Sequence, residues 1–343
     1  MTDTNKQNAY ASAGVNTFEG ERAVDLIKPQ VEKTFKNWEG KILSGVGGFG
    51  AVLEHTDGTV SGYATDGVGT KLLLAMLLNK HDTIGQDLVA MCVNDLAMVG
   101  VPPKVFLDYM AMDKQIPERT EAVVGGIARA CDASGCALVG GEMAEMPGMY
   151  ADGHYDLAGF AVGFAKSKDE LVTGESITAG MKIWGYPSSG VHTNGFSLIR
   201  KVFGIDHDNP QEALDILNTH YEELGKTLGE ELMEPTALYP RIVADLLKEH
   251  DIAGLVHVTG GGFYENPPRI MREGIAARFD LSRWKPQPIF DLIQRVGDLS
   301  IEDMLHTFNY GIGFLAITNE DLPAPFVQIG EVVESDSKDS QFV

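Results

Sequence analysis

One short segment restricts the fold more than any other part of the chain. The segment YATDGVGTKLLLA, residues 63–75, runs from a β-like stretch through an acidic, glycine-containing turn into an apolar, helix-like run. Two further glycine-containing loops, GVHTNG (190–195) and TGGG (259–262), each follow a predicted strand and precede a predicted helix. Open α/β sheets bind ligands at such strand ends. The sequence therefore predicts an α/β (α+β) protein whose loops form a ligand site.

The length of the chain allows two domains. It has 343 residues, and a typical domain holds roughly 100–200. Predicted strands and helices occur on both sides of the polar stretch KSKDELVTGESITAG (166–180), which is the best candidate for a boundary. We therefore predict an N-terminal domain over residues 1–170 and a C-terminal α/β domain over residues 171–343.

The charge and the cysteine content argue against several classes of protein. Asp and Glu number 49 against 27 Lys and Arg, which gives a net charge of −22. Such a surface repels nucleic acid and anionic lipid, so a phosphorylated ligand must be held by local cations, a metal ion or backbone N–H groups. The three cysteines form no C-x-x-C pair, and the longest apolar run, residues 72–78, is too short to cross a membrane. We expect a cytoplasmic protein that acts on a small molecule, with no nucleic-acid or membrane partner.

The segment GVGGFG (45–50) matches the dinucleotide-binding pattern G-x-G-x-x-G. That fold requires a helix after the glycines, whereas the following AVLEHTDG is typical of a strand and a turn. Two interpretations remain for this glycine-rich loop. It is either a second phosphate-binding loop made of backbone N–H groups, or a flexible hairpin or lid.

Two carboxylates are candidate metal ligands. Asp95 lies seven residues after Leu88 in a predicted helix over 84–100, so it shares a face with apolar residues and is expected to point inward. A buried carboxylate needs a cation or hydrogen-bond donors. Asp95 is therefore either a core residue with such partners or a ligand of Mg²⁺, which prefers carboxylate and phosphate oxygens. Asp66, at the end of its strand, could share that ion.

The turn after Asp66 has the composition of a phosphate-binding loop. Gly67 and Gly69 let main-chain N–H groups approach a ligand, and the start of the next helix favours anions. Thr70 and Lys71 follow, and Lys71 can reach a phosphate as a point charge. The alternative is a tight turn with a surface lysine.

Acids and a histidine in later loops extend the candidate site. A predicted buried strand within residues 136–146 runs into a glycine-glycine-acid turn that carries Glu142 and Glu145. Either one of these acids completes the metal shell, or both are exposed turn residues. His192, in the 190–195 loop, is a proton carrier, a hydrogen-bond donor or a plain contact.

Six motifs taken together resemble one family. In chain order they are DGVGTK (66–71), NDL (94–96), GGEMAEMPGMY (140–150), SGVHTNGFSLIR (189–200), VTGGGFYENPPR (258–269) and TFNYGIGF (307–314). In order and spacing they are similar to those of phosphoribosylformylglycinamidine cyclo-ligase, also called aminoimidazole ribonucleotide synthetase. The resemblance extends over nearly the whole chain, from about Gly14 to the IGEVVE near its end.

The resemblance implies an ATP-dependent ligase of purine biosynthesis. ATP and formylglycinamidine ribonucleotide would give aminoimidazole ribonucleotide, ADP and phosphate, through a phosphoryl imidate made from the amide oxygen. It also implies a homodimer in which the N-terminal mixed sheets of two subunits pair into a barrel, and a C-terminal α/β sandwich that completes the substrate site. The alternatives are a related ATP-using enzyme such as thiamine-phosphate kinase, and a catalytically silent nucleotide-binding protein.

The resemblance also implies roles for single residues. Asp66 and Asp95 would hold Mg²⁺, Lys71 would neutralise the transferring phosphoryl group, and His192 would take part in catalysis. The residues expected to bind ATP are Gly45, Gly47, Gly48, Gly50, Gly67, Gly69, Thr70 and Lys71. The residues expected to bind the ribonucleotide are Glu142, His192, Thr193, Asn194, Gly195, Thr259, Gly260, Gly261, Gly262 and Arg269. The chain departs from the family at Asn16 and Met143, where Asp and Thr are usual, so the contacts made there are expected to differ.

Overall fold

Two six-stranded sheets organise the protein. The computed structural model describes Ala9, residues 13–15 and residues 17–343. The N-terminal sheet contains β1 Lys41–Ser44, β2 Ala51–Glu54, β3 Val60–Gly67, β4 Pro103–Met112, β5 Ala137–Glu145 and β6 Tyr155–Ala165. Next along the chain come β7 Lys182–Pro187, the short hairpin strands β8 His220–Tyr221 and β9 Lys226–Thr227, then β10 Gly254–His257, β11 Ile275–Phe279, β12 Ile312–Thr318, β13 Val327–Glu334 and β14 Gln341–Phe342. The hairpin aside, these strands form the C-terminal sheet.

Both sheets are mixed. The N-terminal sheet has the order β1-β2-β3-β6-β4-β5, in which β4 and β5 pair in parallel and the other neighbours pair antiparallel. The C-terminal sheet has the order β10-β12-β7-β13-β11-β14, in which β11 and β14 are the parallel pair. The predicted class, a two-domain α/β fold with a mixed N-terminal sheet, is therefore confirmed. The predicted boundary at 170/171 stays a prediction, and it falls between β6 and β7.

Helices lie against both sheets. Those of the N-terminal half are α1 Thr17–Glu32, α2 Lys71–Leu77, α3 Ile84–Met98 and α4 Pro117–Ser134. Those of the C-terminal half are α5 Phe196–Phe203, α6 Pro210–Leu217, α7 Leu228–Leu232, α8 Pro240–Glu249, α9 Gly262–Glu265, α10 Pro288–Gly297 and α11 Ile301–Thr307. Within the described part of the chain, none of the helices has both the length and the apolar character that crossing a bilayer requires.

Helix α3 lies between the two halves of the molecule. It packs against β3 and β6 on one side and against α8 and β10 on the other. Most of its residues are buried, among them Asp87 and Asn94. Polar groups in such a place must find partners inside the protein. The position of α3 therefore links the packing of the two halves to the polar side chains that it carries.

The two faces of the N-terminal sheet differ in exposure. Strand β6, YDLAGFAVGFA, alternates buried and exposed residues along its length, as expected where one face is covered and the other is open. Helices α3 and α4 pack on the covered face. On the other face Phe160 and Phe164 are exposed, the latter by 51%, as are Tyr109 and Val139 of the neighbouring strands. An apolar, aromatic surface is thus left facing outward.

The prediction for strand β5 was wrong. It is an exposed edge strand rather than a buried one, and it continues through the two glycines to Glu145 instead of turning there. Its parallel pairing with β4 decided the structure over the local composition. Further along the chain, α6 ends at Leu217 before the hairpin β8–β9, whose turn contains Gly225 at a positive φ.

Candidate functional site

A cleft of about 650 Å³ opens where loops from the two halves of the molecule meet. The predicted site residues that line it are Asp66, Gly67, Gly69, Thr70, Asp95, Thr193, Asn194, Gly195, Thr259, Gly260 and Arg269. They come from the end of β3, from α3 and from the loops after β7 and β10. Four separate regions of the sequence that were predicted to bind ligands are therefore brought to one place.

The cleft carries more negative than positive charge. Its carboxylates belong to Asp66, Asp95 and Asp156, and Arg269 is the cationic side chain among the described lining residues. Asp156 lies on β6, next to β3, and was missed by the sequence analysis. The strand pattern contained a signal for it, because Asp156 has the spacing of the exposed positions of β6. Three acids against one guanidinium form a site that favours a cation.

The environment of Asp66 opposes its ionisation. The residue is solvent-accessible at the end of β3, where it lines the cleft, and desolvation of its carboxyl by the surrounding protein groups raises its pKa to about 6. The Gly67 N–H, which donates to Oδ1 at 2.7 Å, lowers the pKa, while the negative charge of Asp95 raises it. Two carboxylates that repel each other in a cleft are the arrangement that a shared cation would relieve.

Asp95 is a cleft residue with a buried partner. Its side chain is 19% exposed, and its Oδ1 lies 2.8 Å from Nδ1 of His257, which is fully buried on β10. The expectation that Asp95 points into an apolar interior was therefore wrong. The buried acid of α3 is Asp87, one turn after the start of the helix. His257 was also missed, since a histidine inside a short apolar strand gives no signal of its partner in the sequence.

The loop after Asp66 presents its backbone to the cleft. Gly69 has a φ of 76°, and no heavy atom of the described residues lies within 4 Å of the position that a Cβ would take. Thr70 Oγ1 lies 3.2 Å from Oγ of Ser197, the second residue of α5. This contact ties the loop to the C-terminal half. The arrangement agrees with a ligand-binding turn.

Lys71 does not face the cleft. Its side chain is fully buried, and Nζ lies 2.9 Å from Oδ2 of Asp87. Nζ also donates to the carbonyl oxygens of His192 at 3.1 Å and of Glu234 at 2.7 Å. Burial lowers the pKa of Lys71 and raises that of Asp87, and the opposite charge of each partner counteracts both shifts. The predicted contact between Lys71 and a phosphoryl group does not agree with this position, since the ammonium hydrogens are already engaged.

His192 is likewise buried behind the cleft wall. Its Nε2 accepts a hydrogen bond from the Ser189 N–H at 3.3 Å, and its backbone has a φ of 65°. Burial, followed by the neighbouring His257 ring and the charge of Lys71, lowers the pKa of the imidazole well below its usual value. The side chain is therefore neutral at physiological pH, and the structure does not bring it to the cleft with the other predicted residues.

The neighbouring residues Thr193, Asn194 and Gly195 do line the cleft. Gly195 has a φ of 80° and lies so close to Phe308 that a Cβ would stand 2.3 Å from its ring. A glycine is needed there by conformation and by space. Gly260 also lines the cleft, beside Asn194, whereas Gly261 and Gly262 turn away from it at the start of α9.

The glycine-rich loop over 45–50 borders a second cavity. This cavity, of about 690 Å³, is lined by Gly47, Gly48, Gly260 and Arg269 among others. The guanidinium of Arg269 lies over the ring of Phe49 at 5.4 Å. Arg269 lines both cavities, so the loop and the cleft share this cation. As predicted, β2 follows the loop directly, so it does not belong to a dinucleotide-binding fold.

The remaining predicted residues lie elsewhere. Glu142 and Glu145 are exposed on the edge strand β5, and the Glu142 carboxylate accepts the N–H of Met143. Strands β6 and β4 stand between β5 and β3, the strand whose end contributes to the cleft. Met143 is itself exposed, and Asn16 lies outside the described residues. Within this single chain, the structure does not bring these acids to the cleft.

Both halves of the chain match models of one protein family. Residues 47–165 match the family model described as AIR synthase related protein, N-terminal domain, and residues 178–341 match its C-terminal domain. Phosphoribosylformylglycinamidine cyclo-ligase from Shouchella clausii is 51% identical over 320 residues, which covers 92% of this chain and 89% of the relative.

Solved structures with the same fold are more distant in sequence. The crystal structure of thiamine monophosphate kinase from Aquifex aeolicus superposes with a TM-score of 0.61 at 17% identity, covering 93% of this chain and 94% of that one. The hydrogenase maturation protein HypE in complex with ATP gives a TM-score of 0.57 at 17% identity, covering 80% and 77% of the two chains. At these identities the likeness concerns the fold.

Proposed function

The chain belongs to the phosphoribosylformylglycinamidine cyclo-ligase family, and we propose that the cleft between its two halves is the site of the ring closure. The enzyme uses ATP to convert formylglycinamidine ribonucleotide to aminoimidazole ribonucleotide, with release of ADP and phosphate. The observation that carries the assignment of the site is the convergence of Asp66, Asp95, Asn194 and Arg269 on one cleft.

The charge of the cleft supports a requirement for Mg²⁺. A triphosphate brought next to three carboxylates would be repelled unless a cation lay between them. Asp66 and Asp95 supply carboxylate oxygens, which Mg²⁺ prefers, and Asp156 stands on the adjacent strand. When bound, Mg²⁺ would neutralise phosphate charge and polarise the transferring phosphoryl group. A shared cation would also relieve the repulsion from Asp95, which adds to the effect of burial in raising the pKa of Asp66.

Other protein groups that line the cleft would orient the two substrates. The backbone of Gly69 offers an N–H group without a side chain in the way, and Arg269 offers a planar cation to an oxyanion. Asn194 provides an amide that can both donate to and accept from the ribonucleotide. Phosphoryl transfer depends mainly on positioning and charge neutralisation. Phosphorylation of the amide oxygen gives a phosphoryl imidate, so phosphate rather than oxide leaves when the amidine nitrogen attacks.

The 45–50 loop is proposed to cover the ATP phosphates. It borders the cavity next to the cleft and contacts Arg269 through Phe49. Lys71 is proposed to hold the cleft walls together through its buried contacts, in place of the phosphate contact expected from the sequence. His192 is proposed to support the same wall, with Thr193 and Asn194 as the residues of that loop that touch substrate.

A homodimer is proposed because one face of the N-terminal sheet is apolar and exposed. Tyr109, Val139, Phe160 and Phe164 all contribute to this outer face. Exposed apolar surfaces of this kind are typical of protein interfaces. Pairing of two such sheets would bury these side chains and form a barrel. The partner would also bring its own edge strand and its Glu142 to the assembly.

The decisive experiment is incubation with ATP, Mg²⁺ and formylglycinamidine ribonucleotide, with the product detected as a diazotisable aminoimidazole. Asp95→Asn should fold normally and lose most turnover, because an amide is a poorer ligand for Mg²⁺ than a carboxylate. Near-wild-type turnover in that variant would reject a metal role for Asp95. Phosphorylation of thiamine phosphate in place of ring closure would favour the alternative enzyme of the same fold.

A further inference from the structure

Three polar residues form a connected group at the junction of α3 and β10. Asn94 and Asp95 are neighbours near the end of α3, and both side chains contact His257. The imidazole of His257 is fully buried. Asn94 is fully buried as well, whereas Asp95 opens onto the cleft. The group therefore runs from the interior of the C-terminal half to the wall of the cleft.

The orientation of the Asn94 amide follows from its backbone partners. Its Oδ1 lies 2.9 Å from the Tyr239 N–H, which is a donor, so this atom must be the amide oxygen. Its Nδ2 lies 2.9 Å from the carbonyl oxygen of Ala237, which is an acceptor. Both contacts require the same assignment. Asn94 therefore presents an N–H donor at 3.4 Å to Nε2 of His257.

The donor from Asn94 decides which nitrogen of His257 carries the hydrogen. A donor that faces Nε2 requires a lone pair on that atom, so the hydrogen lies on Nδ1. Nδ1–H then donates to Oδ1 of Asp95 at 2.8 Å. The chain of partners is continuous from the backbone of Ala237 and Tyr239 to the cleft carboxylate. Each member has one arrangement that satisfies all of its neighbours.

We propose that His257 is a positioning residue for the ring closure, and that Asn94 orients it. The hydrogen bond from His257 to Oδ1 of Asp95 fixes the plane of the carboxylate. It leaves Oδ2 as the oxygen available to a ligand in the cleft. Partners that orient a ligating group in this manner commonly matter by 10–100-fold in affinity or activity. The proposal rests on the proposed function to the extent that Asp95 serves the ATP-dependent step.

The contacts of Asn94, Asp95 and His257 also join the two halves of the molecule. Asn94 and Asp95 belong to the N-terminal half, whereas His257, Ala237 and Tyr239 belong to the C-terminal half. Thr259 and Gly260, which line the cleft, follow His257 by two and three residues. His257 therefore sets the Asp95 carboxylate against the loop that is proposed to hold the ribonucleotide.

The first test measures the tautomer in the free protein, without substrate or metal. Histidine labelled with ¹⁵N is incorporated, and the His257 signals are assigned by their loss in His257→Gln or their shift in Asp95→Asn. We expect a protonated Nδ1 and an unprotonated Nε2. We also expect that Asn94→Asp moves a hydrogen onto Nε2, since it places an acceptor there. A wild-type spectrum with the hydrogen on Nε2 would overturn the proposal, whatever the enzyme proves to catalyse.

The second test separates positioning from general stability. His257→Leu should lower kcat by roughly 10–100-fold with less than about a two-fold change in KM, and His257→Gln should recover part of the loss through its amide N–H. The matched control is His250→Leu, which removes a histidine–carboxylate contact of 2.7 Å to Glu320 at the surface and should leave kcat unchanged. Wild-type kcat in His257→Leu would refute the positioning role. Absence of turnover in the wild-type protein would instead reject the proposed function and leave the tautomer result standing.

Discussion

Replacing Lys71 by Met distinguishes a structural ion pair from a phosphate ligand. Methionine fills a similar volume but has no ammonium group, so Asp87 stays behind as a buried carboxylate without its cation. Removing one partner of a buried pair costs about 3–5 kcal/mol. The carbonyl oxygens of His192 and Glu234 lose their donor in the same variant. We therefore expect a loss near the upper end, about 5 kcal/mol.

The expected loss is large enough to measure by thermal unfolding. At about 2–4 °C per kcal/mol for a domain of this size, the Tm should fall by roughly 10–20 °C. Lys80→Met is the matched control, because Lys80 follows the same helix and is exposed. That change should stay within about 0.5 kcal/mol. The comparison removes the general effect of exchanging a lysine for methionine.

A second change in the partner tests the pairing itself. In Lys71→Met/Asp87→Asn the buried charge is gone, while the amide oxygen can still accept from the N–H and hydroxyl of Thr236. We expect the double variant to recover about 2 kcal/mol or more relative to Lys71→Met, which is within the coupling range of contacting residues. If Lys71→Met kept the wild-type Tm and lost only ATP-dependent turnover, Lys71 would be a phosphate ligand and the reasoning from its burial would fail.

Three further outcomes are expected. Burial raises the pKa of Asp66 from 3.8 to about 6, so the charged carboxylate destabilises the native state. The stability of Asp66→Asn relative to the wild type should therefore increase as the pH rises from about 4 to about 6. A relative gain confined to lower pH would contradict the raised pKa. Asp156→Asn should raise the Mg²⁺ concentration for half-maximal turnover about ten-fold or more, whereas Asp152→Asn, at an exposed position, should not. Equal effects of the two variants would exclude Asp156 from the proposed metal site. Phe164→Asp should shift the monomer–dimer equilibrium towards the monomer, whereas Val296→Asp, at another exposed apolar position, should leave it unchanged. Sedimentation equilibrium measures both, and a monomeric wild type would refute the dimer.

The loops of the site were predictable from sequence because their signal is local. Glycines with neighbouring polar residues at the ends of strands mark ligand-binding turns, and the structure brings the turns at 66–70, 193–195 and 259–260 to one cleft. The residue types themselves carry the information, since close approach of a backbone to a ligand needs glycine. The order of strands within each sheet had no comparable local signal.

The roles of the charged residues were harder to predict because burial is decided by distant partners. The contacts of Lys71 come from residues 87, 192 and 234, and nothing in DGVGTK shows that its lysine turns inward. The spacing argument placed a buried acid on α3 and required a cation or hydrogen-bond donors for it. It chose Asp95, whereas the buried acid is Asp87, because both lie on helical faces rich in apolar residues.

One face of α3 explains why these residues act together. Asp87, Met91, Asn94 and Asp95 have the spacing i, i+4, i+7 and i+8, which lies along one side of a helix. On that side Asp87 binds Lys71, Asn94 holds the backbone of the C-terminal half, and Asp95 opens onto the cleft. A displacement of α3 relative to β10 would therefore move the Asp95 carboxylate and disturb the buried Lys71–Asp87 pair in one motion. It follows that stability and turnover should fall together in Lys71→Met, whereas Asp95→Asn should affect turnover alone.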